Sequence, residues 1–182
     1  MAEQIDGILA YASDPAAPTA AYVADKMGLP GNPYESVEIL CNKDQFRAFL
    51  AENGFHTPKA KGYTELSEAL LDLQQNAFRY PVIVKPVDSS GSKGVGRIDV
   101  FAEAEEKLAY AMSFSKGKKI ILEEYVEKFG YQIAGDGLSI EGKLMFRCFA
   151  NDHFNPACVN PFVPISASFP YHMPSEVQDK IH

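Results

Sequence analysis

The stretch Tyr80-Pro81-Val82-Ile83-Val84-Lys85-Pro86-Val87-Asp88-Ser89-Ser90-Gly91-Ser92-Lys93-Gly94-Val95-Gly96-Arg97 decides the reading of the fold. A β-branched apolar run, Val82 to Val84, ends on Lys85, and a loop of small residues follows from Asp88 to Gly94. A second strand-like run covers Val95 to Phe101. A lysine at the end of a buried strand, beside a flexible loop of glycine and serine, suits a triphosphate. The ammonium brings charge, and the N–H and hydroxyl groups of the loop can close over phosphate oxygens. A mobile solvent hairpin with a surface lysine has the same local composition.

The loop is of a particular kind. GxxxxGK[ST] is absent, so it is not a Walker loop. Gly91, Gly94 and Gly96 do not fit GxGxxG, and the loop joins two strands instead of opening a helix. A glycine-rich flap over phosphates is the nearest physical analogue, but neither HRD nor DFG occurs in the chain.

Working outward, residues 5–12 predict a buried strand, and Ala16 to Met27 predict a helix stopped by Gly28. Such a β–α unit has no sheet of its own to join. Pro30 to Pro33 read as a turn or linker, with Ser36 and Asn42 as helix caps. Val37–Cys41 and Lys43–Asn53 predict two helices, the second with Phe46, Phe49 and Leu50 on one face. His56-Thr57-Pro58 reads as extended, and Glu65 to Asn76 predict an amphipathic helix. Downstream of the loop, Ala102–Ser113 predict a helix and Lys119–Val126 a strand. Tyr131–Ser139 and Lys143–Ala150 predict a hairpin that turns at Glu141-Gly142. Residues 151–174 hold five prolines and little periodicity, so a long loop is expected there. A helix begins near Pro174.

Composition bounds the function. The 182 residues are 46% hydrophobic and 23% charged, ordinary for a globular protein. A formal net charge of −7 and the lack of a basic stripe argue against a nucleic-acid surface. Three widely spaced cysteines, Cys41, Cys148 and Cys158, argue against a disulfide framework or zinc site and for a reduced, cytosolic compartment. The four histidines lack metal-ligand spacing. No signal peptide is visible, and no run approaches the ~20 apolar residues of a membrane span.

The order of pieces resembles the ATP-grasp superfamily, in particular the ATP-binding domain of carbamoyl-phosphate synthetase large chains and biotin carboxylases. The pieces are Asn42-Lys43-Asp44-Gln45-Phe46-Arg47, Tyr80 to Pro86, Asp88 to Gly96, Leu122-Glu123-Glu124-Tyr125-Val126, and Gly135 to Lys143. The resemblance covers roughly residues 34–150. It implies an α+β fold of two lobes with ATP between them: residues 1–33 as the tail of a preceding β–α domain, 34–126 as the first lobe, and 127–182 as the start of a second lobe, incomplete at its C-terminus.

The resemblance also assigns roles. Lys43 and Lys85 would meet the phosphates, and Ser89, Ser90, Gly91 and Ser92 would form the flap. In the adenine hinge the Glu124 carbonyl and the Val126 N–H would face the base, with Glu123 pointing inward toward Lys85. Two departures stand out. Gly130 occupies the place of an acidic or polar ribose-holding residue, for which Glu127 could substitute. The Glu-x-Asn that would bind Mg2+ does not occur, so magnesium ligands are expected beyond the chain. Residues 151–173 are where substrate-side contacts would fall, at Asn151, His153, Asn155, Asn160, Ser166 and Ser168.

The expected activity is that of an ATP-dependent ligase acting on a small-molecule carboxylate, or bicarbonate, and an amine. The chain alone is expected to bind ATP weakly or not at all, and to self-associate through exposed apolar surface. The alternative is a non-catalytic nucleotide-binding or interaction module.

Overall fold

A computed structural model describes residues 4–11 and 13–181. The chain divides into two compact units between Tyr125 and Val126.

The first unit is built on a four-stranded sheet of β1 (Ala60–Tyr63), β2 (Val82–Pro86), β3 (Gly96–Ile98) and β4 (Ile120–Glu124). Its order is β1-β4-β2-β3, and every pairing is antiparallel. Strand alternation sorts the two faces. Val82, Val84, Ile98, Ile120, Leu122 and Tyr63 point to one side and are buried there with Leu73 and Ala69 of α4 (Leu66–Gln74) and Leu108 and Ala111 of α5 (Ala104–Ser113). Lys85, Ile121 and Glu123 fall on the other face. Ile83 pairs with Glu123, and Lys85 with Ile121, so the two charged residues are neighbours on that face.

Three helices precede the sheet: α1 (Ala17–Met27), α2 (Tyr34–Cys41) and α3 (Lys43–Glu52). α1 carries proline in its first turn and ends at Gly28 with φ 65°, a left-handed cap that costs glycine little. It meets α2 through an edge-on pair of rings, Tyr22 and Tyr34, with centroids 5.4 Å apart.

Several expectations are corrected. Residues 5–11 form no strand, and Leu9 and Tyr11 are each 85% exposed; the run is apolar but no sheet edge receives it. Ala12, the last residue of that expected strand, lies outside the described residues. Ser36 lies inside α2, whose N-cap is Pro33. Asn42 does occupy the N-cap of α3, yet its Nδ2 donates backward to the Glu38 carbonyl (2.9 Å), closing α2 instead of capping α3. The strand expected over 95–101 is only Gly96–Ile98, followed by a 3-10 turn at Phe101–Glu103.

The loop between β2 and β3 is held open by left-handed backbone at Gly91 (φ 67°), Ser92 (φ 54°) and Gly94 (φ 72°). At Gly94 there is also no room: a Cβ there would stand 2.9 Å from the Phe114 Cβ and 3.0 Å from the Pro86 Cγ. Gly94→Ala is therefore expected to destabilise the first unit by about 1–3 kcal/mol, seen as a lower denaturant midpoint with an unchanged slope. An unchanged midpoint would show that the loop can shift to make room.

In the second unit, β5 (Gln132–Ile140) and β6 (Lys143–His153) form the expected hairpin. Its two-residue turn has φ 51° at Glu141 and φ 75° at Gly142, the positive pair that matches strand twist. β7 (Ser166–Ser168) adds to β6, and α6 (Ser175–Ile181) follows. Arg147 of β6 donates to the Gln178 carbonyl (2.9 Å) and to Asp179 (2.6 Å) of α6.

The segment expected to be one long loop thus contains a strand. Buried Asn151 fixes the return: its Nδ2 reaches the Ser168 carbonyl, the Ser168 hydroxyl and the Pro170 carbonyl, and its Oδ1 accepts from the His172 N–H at 2.8 Å. Between β6 and β7, residues 154–165 leave and return at one point, where the Ile165 N–H donates to the His153 carbonyl (2.8 Å). Within it, Asn155 and Asn160 each accept from the amide two residues on, at Ala157 (2.9 Å) and Phe162 (3.0 Å).

Candidate functional site: two lysines around a small-residue loop

α3 begins at Lys43, where a helix leaves its first amides without intrahelical acceptors. The Lys43 N–H is satisfied by the Val87 carbonyl, 3.1 Å away at the base of the loop. The side chain turns to the same place, and its Nζ donates to the carbonyls of Val87 (3.3 Å) and Ser89 (2.5 Å). Helix and loop are therefore joined twice through one residue. Lys43, Asp88, Ser89 and Ser90 line a cavity of about 550 Å³, together with Asp14 and Lys116. Burial, and next the nearby Lys85 charge, hold the Lys43 ammonium below its ordinary pKa, against the opposing pull of Asp88, Asp14 and Glu123.

Lys85 takes a different partner. Its Nζ donates to Glu123 Oε2 at 2.8 Å, across the β2–β4 pairing. The Glu123 side chain is only 6% exposed. Its second oxygen accepts from Arg47 Nε at 2.8 Å, and the Arg47 fork also reaches Oε2 at 3.4 Å. Burial alone raises the pKa of a carboxyl group, but here the Arg47 hydrogen bond and the Lys85 charge outweigh it and hold Glu123 below the usual range. The buried carboxylate thus serves two cations.

The remaining expected residues fall as follows. Ser89 and Ser90 are half-buried and line the cavity with Lys43, whereas Gly91 is exposed at the loop tip and Ser92 is half-buried. Glu124 is at the end of β4; its N–H donates to the Lys59 carbonyl (2.9 Å) and its Oε1 accepts from the Arg79 N–H (3.1 Å). Val126 is 64% exposed and belongs to the second unit. The lysine–glutamate pairing expected of Glu123 is present.

Two residues within the quoted motifs were given no role by the sequence. Arg47 lies one helical turn after Lys43, so the i, i+4 spacing on α3 put both cations on one face and could have pointed to it. Asp88 anchors the loop from the other end, its Oδ2 accepting from the Gly117 N–H at 2.6 Å. Nothing in the sequence ties residues 88 and 117 together.

No protein-family model matches the chain. Cyanophycin synthetase from Geminocystis herdmanii is 30% identical over 130 residues, 69% of this chain and 13% of that protein. A carbamoyl phosphate synthase large chain from Thermomicrobium roseum is 26% identical over 113 residues, 61% of this chain and 10% of that one. The crystal structure of an L-amino acid ligase from Bacillus licheniformis superposes on 97% of this chain and 39% of its own, with TM-score 0.71 and 27% identity. The chain therefore spans a small part of the length of these curated relatives. It belongs to the ATP-grasp superfamily. The similarity extends beyond the carbamoyl-phosphate branch, since cyanophycin synthetase matches as well.

Proposed function

We propose that this chain is the ATP-binding portion of an ATP-dependent ligase that joins a small-molecule carboxylate, or bicarbonate, to an amine. The observation that carries the reading is the convergence of Lys43, Ser89 and Ser90 on one cavity, where the Lys43 Nζ donates to the Ser89 carbonyl; burial, and next the nearby Lys85 charge, lower the Lys43 pKa there. Two ammonium groups near a loop of small residues can attract a triphosphate; Lys116 adds a further cation to the cavity wall, against the carboxylates of Asp14, Glu38 and Asp88. An anion placed there would supply an opposite charge that offsets the burial and the Lys85 repulsion disfavouring the Lys43 ammonium. The names of the relatives, a cyanophycin synthetase and an L-amino acid ligase, support ligase chemistry.

On this reading Lys43 and Lys85 contact the phosphates, and Ser89, Ser90, Gly91 and Ser92 close over them. The segment Glu123-Glu124-Tyr125-Val126 receives the adenine, with the Glu124 carbonyl and the Val126 N–H facing the base. The substrate carboxylate oxygen attacks the γ-phosphorus and ADP departs. The amine then attacks the acyl carbon of the acylphosphate, phosphate departs, and an amide remains. The lysines contribute by offsetting phosphate charge that would repel the nucleophile. The fold family implies magnesium. Among the described residues no group of three or more His, Cys, Asp or Glu is placed to hold a metal ion. Among the described residues no helix is long and apolar enough to cross a membrane.

The test is a screen of the full-length protein with ATP, magnesium, amines and a panel of carboxylates including bicarbonate. ADP and phosphate are expected to form in equal amounts with the amide, and only when both substrates are present. ATP binding without any substrate-dependent ADP release would replace the ligase by a nucleotide-binding module.

A further inference from the structure

The sheet face that carries Lys85 holds three charges in contact: Arg47, Glu123 and Lys85, linked by bonds of 2.8 Å on each side of the carboxylate. The side chain of Glu123 is nearly inaccessible, and those of Lys85 and Arg47 are 17% and 27% exposed. A carboxylate pressed against a single ammonium would neutralise it, leaving little attraction for a phosphate. Here the carboxylate charge is shared with a second cation. Counted together, two positive groups and one negative leave a net single positive charge.

We propose that Arg47 is a positioning residue for nucleotide binding: by taking one face of Glu123, it leaves Lys85 oriented by the carboxylate yet with unspent positive charge toward the phosphates. The inference rests on the reading that Lys85 meets the phosphates of ATP.

The geometry favours this over a purely structural role. Arg47 binds Glu123 through its fork, Nε to Oε1 and the terminal nitrogen to Oε2, which fixes the plane of the carboxylate. Oε2 is also the atom that receives Lys85, so the direction of the Lys85 ammonium depends on that plane. A helix and two strands are engaged: Arg47 from α3, Glu123 from β4, Lys85 from β2. Arg47 starts one turn from Lys43 on the same helix, so one element supplies a cation to the loop and another to the carboxylate.

The test is a set of variants of the full-length protein, titrated with ATP and, separately, with adenosine. Arg47→Gln is expected to weaken ATP binding about tenfold, the effect of losing one charge at this range, and to leave adenosine binding within about threefold. Arg47→Lys, which keeps the charge but loses the fork, is expected to recover only part of the loss, because a single ammonium cannot fix the carboxylate plane. The double variant Arg47→Gln with Glu123→Gln removes one charge of each sign and restores the net positive charge. It is expected to bind ATP within about threefold of wild type. Equal losses of ATP and adenosine would reduce Arg47 to a structural role and overturn the proposal, as would a double variant no better than Arg47→Gln. Lys85→Ala separates the two readings. If it weakens ATP binding while Arg47→Gln does not, only the role of Arg47 falls. If neither variant matters, the placing of Lys85 at the phosphates falls with it.

Discussion

A Lys85→Ala variant is expected to bind ATP about a hundredfold more weakly than wild type, with adenosine nearly unaffected. A charged hydrogen bond to an ionised group is worth up to about 3 kcal/mol, and each 1.4 kcal/mol is tenfold in affinity. The lysine is poorly exposed and held by a carboxylate, so water substitutes for it badly. Its removal also strips Glu123 of one of its two cations. The residual carboxylate charge then faces the incoming phosphates, which adds repulsion to the lost attraction. Calorimetric titration of the full-length protein reads both ligands. An unchanged ATP affinity would remove Lys85 from the phosphate site, and equal losses for ATP and adenosine would indicate a collapsed sheet face.

The second large effect is on stability. Glu123→Ala leaves Arg47 and Lys85 facing each other without a counter-charge. Breaking such a pair by deleting one side costs about 3–5 kcal/mol when burial is complete. The partial exposure of both cations places this case at the lower end, about 3 kcal/mol. Acid sensitivity follows with a definite sign. The Glu123 carboxyl is held below its ordinary pKa in the folded chain. Its contribution is therefore fully present above the unfolded value, about pH 4.3, and is lost as pH falls through the lower folded value. Denaturant midpoints measured across that window should fall in the wild type and fall less steeply in Glu123→Ala. Parallel profiles for the two proteins would remove Glu123 from the acid transition.

These effects concern residues whose importance is unevenly written in the sequence. β2 was legible residue for residue because Val82, Ile83 and Val84 are β-branched and local. The β5–β6 turn was legible because Gly142 takes a positive φ at little cost between two alternating runs. β1, Ala-Lys-Gly-Tyr, has no strand signature; it is a strand because its backbone pairs with β4 some sixty residues later. The opposite error occurred at residues 5–11, where an apolar run invites a strand but no neighbouring edge receives it. β7, Ser-Ala-Ser, exists through pairing with β6 and through the amide of Asn151. For the site, Lys85 and the loop announce themselves by position after a strand. The ion pair of Arg47 with Glu123 joins residues 76 apart, a separation that no local pattern encodes.

The closed ends of the 154–165 segment make it a replaceable cassette. Its entry and exit are clamped by the Ile165–His153 hydrogen bond and by the pairing of β7 with β6. Doubling its length would add only about 0.6 kcal/mol of closure entropy. Sequence there can drift, lengthen or be exchanged while the hairpin beneath keeps its register, which makes this the part of the second unit where new recognition is cheapest to acquire.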